Sequence, residues 1–255
     1  MNTSRPTNPT IAELKAISQP QEIRGRQSSE HWLNEVYLRK LSPYQTRVLL
    51  KAGFSANGVT YLMITSGFMA GLVLLIPGLP GGLLAAFFGQ LQMILDCSDG
   101  EVARWRETKS PMGIFLDKLG HYLAEGLIPI CFGLRLANWP NEPITGSIFP
   151  FLGAVLAILV IVNKGLNDAV HVARAFSGLP KIQDKTGINM PVKGILRKLR
   201  KLFNFIPAQR MFHSVEFTIY VAIFGTFSES LEIALGISLF VTVGHIAAIV
   251  SSAKL

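Results

Sequence analysis

Residues 56–105 read ANGVTYLMITSGFMAGLVLLIPGLPGGLLAAFFGQLQMILDCSDGEVARW. Residues 56–95 contain no Asp, Glu, Lys or Arg, and the run then ends in a burst of acidic residues. It holds two apolar spans, 56–77 and 81–105, each near the length that roughly 30 Å of hydrocarbon requires of a helix. Working outward, further spans follow at 111–136, 144–175, 209–228 and 231–252. The second, third and fourth are too long, and too polar at one end, to lie wholly in lipid. Each is expected to project into water or a water-filled cavity. The expected fold is all-α: a polytopic membrane protein with six transmembrane helices over residues 56–255.

Composition agrees. Of 255 residues, 49% are hydrophobic and 16% charged, against about 25% charged in an ordinary soluble domain. The mean hydropathy is +0.39. A soluble globule, a coiled coil and a disordered chain are excluded. The net charge of +8 raises nucleic acid as a partner. The cations lie beside apolar spans, however, so anionic lipid headgroups are the simpler partner and no nucleic acid is expected. Cys97 and Cys131 sit on different spans, so no disulfide is expected, and there is no Cys/His metal pattern.

Residues 1–28 are polar and rich in Pro, Ser, Thr and Gln, without a periodic apolar face, and read as a disordered tail. They lack the apolar core of a signal peptide, so the first span should be retained. Residues 29–55 read as an amphipathic helix lying along the interface. Trp32, Leu33, Val36, Tyr37 and Leu41 recur at helical spacing among Arg39, Lys40, Arg47 and Lys51. Cations also crowd the link between spans two and three (Arg104, Arg106, Lys109) and that between four and five, from Lys181 to Arg210. The opposite links hold Arg135 alone among cations. This bias places both termini in the cytoplasm. No eukaryotic targeting signal is visible, so a bacterial inner membrane is expected. Gly67 and Gly71 form a GxxxG, which would serve a homodimer seam or only ordinary close packing.

The acidic burst carries the chemistry. Asp96, Asp99, Gly100 and Ala103 fall at helical offsets 0, 3, 4 and 7, forming one stripe. Gly113, Asp117 and His121 form a second, and the short link between them predicts antiparallel neighbours whose stripes face each other. Ser110-Pro111 fits an N-cap followed by Pro at the first helical position. Carboxylates converging from two helices suit hard divalent cations. Gly100, Ala103 and Gly113 leave room for a bulky group, while Arg104 and Lys109 offer charge to phosphate oxygens. The bland alternative pairs Asp96 and Asp99 with Arg104 and Lys118 in a structural salt-bridge network. Metal-assisted phosphoryl transfer at the cytoplasmic face is the functional reading.

At these residues the chain resembles the CDP-alcohol phosphatidyltransferase family, whose motif is D-x2-D-G-x2-A-R-x8-G-x3-D-x3-D. Asp96, Asp99, Gly100, Ala103, Arg104, Gly113 and Asp117 match at every required spacing. The resemblance extends over about residues 30–255. It implies six spans, an N-terminal interfacial helix, two ions of Mg2+ or Mn2+, and transfer of a substituted phosphate from a CDP-linked donor to an alcohol with release of CMP. The default donor is CDP-diacylglycerol. It further implies that Asp96, Asp99 and Asp117 are metal ligands, and that Gly100, Arg104 and Ser110 hold the nucleotide. Asn57 and Thr60 resemble the family's Pro-Asn-x-x-Thr, with Ala56 in place of Pro.

The departure is His121, where the family has its last Asp, a metal ligand and general base. Imidazole favours Mn2+ or Zn2+ over Mg2+, and its ordinary pKa of about 6.5 suits a base. Glu125, one turn on, is placed to orient the ring or restore a carboxylate. On the fourth span, Lys164, Asn167, Asp168 and His171 share a face that either recognises a hydrophilic acceptor or simply emerges into water. His213 and Glu216 open the fifth span as weaker pocket candidates, and Lys193 to Lys201 read as a lipid-surface helix. The alternative to an enzyme is a catalytically silent scaffold or partner subunit, motivated by His121.

Overall fold

The computed structural model describes residues 5–21, 37–179, 214–225 and 228–251. Eight α-helices are formed among them, with no strand: α1 (Ile11–Ser18), α2 (Arg39–Lys51), α3 (Ala56–Leu72), α4 (Gly78–Arg106), α5 (Pro111–Leu136), α6 (Phe149–Phe176), α7 (Ser214–Phe224) and α8 (Ser228–Ser251). A 3-10 turn at Val73–Leu75 extends α3. Helices therefore stand at all six expected span positions. Four segments are long and apolar enough to cross a membrane: Ala56–Leu75, Gly78–Arg106, Phe149–Phe176 and Ser228–Ala247. α5 is long, but Asp117, Lys118, Glu125 and Arg135 make it less apolar. α7 is described over 11 residues only. The link 180–213, with its cations and His213, lies outside the described residues, as do Trp32, Leu33 and Val36.

Helix boundaries follow local chemistry. Ser55 caps α3 by accepting from the Gly58 amide at 3.1 Å. Ser110 caps α5 by accepting from Gly113 at 3.0 Å, with Pro111 at the first position as expected. α4 ends where Glu107 takes a left-handed conformation, φ 56°. α3 lies at the centre of the bundle, packed along both α4 and α5. α6 packs on α5, α7 on α4 and α5, and α8 on α6. Phe132 of α5 stacks on Phe217 of α7 with ring centroids 5.1 Å apart.

In lipid, helices gain little from burying apolar area against one another, so close approach must carry association. The sequence supplies it through small residues. Gly67 and Gly71 are buried, and a Cβ on them would meet Ala124 and Leu127 of α5, each at 2.8 Å. Of the two readings of the GxxxG, ordinary close packing within the chain is the one these contacts serve. At the α5–α6 crossing, a Cβ on Gly153 would lie 2.5 Å from the Pro129 carbonyl. Large apolar side chains point outward instead, among them Phe87, Ile114, Phe115, Phe151 and Ile158, each at least 60% exposed. So many exposed large apolar side chains suit lipid rather than water.

The N-terminal segment departs from expectation. Residues 5–21 are not a disordered tail: α1 forms and docks on α2 and α4. Thr10 and Glu13 close a capping box, Thr10 Oγ1 accepting from the Glu13 amide at 3.2 Å and the Thr10 amide donating to Glu13 Oε2 at 2.8 Å. The Thr10 hydroxyl, which also donates to Glu13 Oε2 at 2.7 Å, and the Thr10 amide hold the Glu13 carboxyl below its usual pKa. Leu14 is fully buried in a cluster with Leu49, Leu50, Val102 and Trp105. Composition misled because one well-placed leucine and several polar side chains, not a periodic stripe, do the docking. α2 covers part of the expected interfacial helix. It buries Leu49 and Leu50 against the bundle and exposes Leu41, Tyr44 and Val48 at spacing i, i+3, i+7.

Candidate active site

The acidic stripes of α4 and α5 meet, though not as tightly packed neighbours. Both helices pack on α3 and make little direct backbone contact with each other. Asp96, Asp117 and His121 each place a ligand atom within 4.8 Å of the others. His121 Nε2 lies 3.1 Å from Asp96 Oδ1 and 3.4 Å from Asp117 Oδ1. The three side chains are 21–39% exposed, so the group is sheltered yet open on one side. Opposite ligands on a small divalent cation sit about 4–5 Å apart, and two carboxylates with an imidazole are a donor set that such an ion accepts. The residues fit a metal.

Asp99 stands outside this group. It is 9% exposed and accepts a 2.8 Å hydrogen bond from Thr60 Oγ1. Thr60 is itself buried, and its hydroxyl is directed at the Asp99 carboxylate.

The glycines of the motif also read differently in three dimensions. A Cβ on Gly100 would lie 2.9 Å from Arg104 Nη1, and one on Gly113 would lie 3.3 Å from Asn57 Oδ1 and 3.4 Å from Ser110 Oγ. The space they free is used by Arg104, Asn57 and Ser110, which brings those three side chains against the helix backbones beside the carboxylates. Ala103 is half-buried on the same turn as Arg104.

His121 presents only one ring nitrogen to the carboxylates. Nδ1 faces the other way, 3.7 Å from Glu125 Oε1, and Glu125, 1% exposed, is ion-paired to Lys164 of α6. One turn along, Asp168 receives Lys118 Nζ at 2.8 Å and Tyr122 OH at 2.8 Å. Two of the four residues on the expected α6 stripe, Lys164 and Asp168, are thus engaged with α5. Asn167 Nδ2 donates to Asn163 O on its own helix at 3.2 Å, and His171 is half-buried. Lys118 pairs with Asp168, not with the motif carboxylates as the salt-bridge alternative required. Glu216 is buried in α7.

Sequence reasoning missed Glu101, a motif neighbour on the opposite face of α4. It is 1% exposed and accepts from Gln19 Nε2 at 2.8 Å, Ser42 Oγ at 2.6 Å and Thr46 Oγ1 at 2.7 Å. No local signal marks it, because its partners lie 55 to 82 positions away in the chain.

An all-helical chain with four membrane-length apolar helices and a carboxylate–imidazole group between two of its helices defines a class: a membrane-embedded protein with a site fit for a divalent cation. Residues 54–244 match the family model for CDP-alcohol phosphatidyltransferase, and the chain belongs to that family. No curated protein matches the chain. Membership makes it an integral membrane protein of a transferase type that moves a phosphate group from a CDP-alcohol.

Proposed function

We propose that this protein transfers a substituted phosphate from a CDP-linked donor, CDP-diacylglycerol by default, to an alcohol acceptor and releases CMP, in phospholipid or related glycoconjugate synthesis. The observation that carries this reading is the meeting of Asp96, Asp117 and His121 across α4 and α5. Mg2+ or Mn2+ held there would neutralise the charge that develops on the diphosphate. Asp96 and Asp117 would supply hard oxygen ligands, and Asp99, held by Thr60, would add its charge from one turn away. Arg104 and Ser110, with Asn57 at the first turn of α3, border the same space and suit the donor's phosphates and nucleotide.

His121 Nε2 faces both carboxylates, so holding an ion and taking the acceptor's proton exclude each other at any moment. We assign the ligand role. A ring that donates its Nε2 lone pair carries its proton on Nδ1, and here Nδ1 is directed at the Glu125 carboxylate. Lys164, paired to Glu125 beside His121, and Asn167, Asp168 and His171 on the same face of α6 are the acceptor-recognition candidates. The expected topology has both termini in the cytoplasm, with the site and the exposed Leu41–Val48 face of α2 at the cytoplasmic interface of a bacterial inner membrane.

The test is CMP release by the protein in lipid nanodiscs, given CDP-diacylglycerol, a pool of small polyols, and Mn2+ or Mg2+. Release that requires both metal and acceptor, and that falls by at least about a hundredfold in Asp117→Asn, is the expected result. No release even in His121→Asp, at any metal, would favour the silent-scaffold reading. In His121→Ala, lost metal affinity marks a ligand; lost turnover with metal affinity intact would assign the base role instead.

A further inference from the structure

The N-terminal segment is tied to the one turn of α4 that carries the motif arginine. Arg104 Nε donates to the Ser18 carbonyl at 2.5 Å. Arg5 Nη1 donates to the carbonyls of Arg104 and Trp105, each at 2.9 Å, and Arg5 Nη2 meets Glu107 at 2.5 Å. The Trp105 indole donates to the Pro6 carbonyl at 3.0 Å, and Arg5 lies over its ring, 5.6 Å from the centroid. Gln19, 5% exposed, reaches Glu101 and the Arg39 carbonyl, both at 2.8 Å. Residues 5–19 thus form a collar around residues 101–107.

The consequence for Arg104 is geometric. A guanidinium has five N–H groups in a fixed plane. With Nε given to Ser18 O, the plane is set, and the two Nη groups are laid back over Gly100, one turn toward Asp96 and Asp99. Without that carbonyl, a long flexible side chain at the end of a helix samples many rotamers and must be ordered by the ligand itself, at a cost in affinity.

We propose that residues 5–21 are a positioning segment for the donor site: the Ser18 carbonyl, held in place by Gln19–Glu101 and by the Arg5 contacts, pre-orients Arg104 toward the donor's diphosphate. This rests on the reading of Arg104 as a phosphate-holding residue, and the experiment separates the two. The probe is CDP, titrated calorimetrically into the full-length protein in nanodiscs with Mn2+ in excess. Two perturbations are used: deletion of residues 2–21, and Gln19→Glu, which sets a carboxylate against Glu101. Each is expected to weaken CDP binding by about tenfold, the equivalent of one charge-assisted hydrogen bond. Arg104→Ala should weaken it at least as much, and adding Gln19→Glu to Arg104→Ala should cost nothing more.

That lack of further loss distinguishes positioning from simple destabilisation, which would stay additive; melting temperatures recorded alongside identify a misfolded variant. Full CDP affinity in both collar variants, with Arg104→Ala impaired, overturns the positioning role and leaves the phosphate reading intact. Unchanged affinity in Arg104→Ala overturns the phosphate reading, and absence of CDP binding by the unaltered protein overturns both.

Discussion

At the scale of the residue, His121 decides the electrostatics of the site. With imidazole in place of carboxylate, the group it forms with Asp96 and Asp117 carries one negative charge fewer and offers one nitrogen ligand. Hard Mg2+ loses more by that exchange than Mn2+ or Zn2+ does. His121→Asp is therefore expected to shift metal preference toward Mg2+, by about tenfold or more in the ratio of dissociation constants. Competition of Mg2+ against Mn2+, followed by the Mn2+ paramagnetic signal, checks this without reference to turnover. The seven motif positions were legible in the sequence, since helical offsets alone put Asp96 with Asp99 and Asp117 with His121. That Thr60 serves Asp99 was not, because the hydrogen bond joins α3 to α4 across 39 positions.

At the scale of the element, two contacts carry specific costs. Gly153 meets backbone, not a side chain that can turn away, so Gly153→Ala must push α6 from α5. A loss of about 1–3 kcal/mol is expected, read as a lower melting temperature in detergent. Glu101 ties α1 and α2 to α4 through three donors. Glu101→Ala leaves those donors buried without an acceptor, and should cost about 2–4 kcal/mol and expose the N-terminal segment to limited proteolysis. The α1 cap adds a pH dependence. Glu13's folded pKa lies below its usual 4.5, so its contribution is complete above that value and is lost as pH falls through the lowered one. Proteolytic release of residues 1–21 is expected to quicken in that acid range. α1 itself was hidden from composition, because a single helix of 8 residues shows no period and is stable only through what it docks on.

At the scale of the whole molecule, the carboxylates between α4 and α5 repel each other while a bound cation would join the two helices. Mn2+ at a hundred times its dissociation constant should stabilise the protein by about 2.7 kcal/mol, and chelation should reverse it. Asp96→Asn should raise the melting temperature of the chelated protein and abolish the Mn2+ increment. Thermal unfolding in nanodiscs with and without chelator checks both signs at once. The outer surface obeys a different rule: exposed Phe87, Phe115, Phe151 and Ile158 face the medium that excludes charge, which is why uncharged length alone marked the spans.

What the amino-acid sequence determined by itself was the set of things that depend on neighbours along the chain. These are the uncharged lengths that require a membrane, the helical stripes of carboxylates, the Ser110-Pro111 start of α5, and the motif spacing that the family match bears out. What only the tertiary structure decided was which surfaces those helices present to one another. It spends Gly67 and Gly71 inside the bundle, gives the space at Gly100 to Arg104, turns Lys164 and Asp168 toward α5, and wraps residues 5–19 around the end of α4. Most of these depend on pairs far apart in sequence, and even the neighbours Gly100 and Arg104 take this arrangement beside the Arg104 hydrogen bond to Ser18, 86 positions away; close packing and hydrogen-bond satisfaction across helices set such meetings, and no local pattern encodes them.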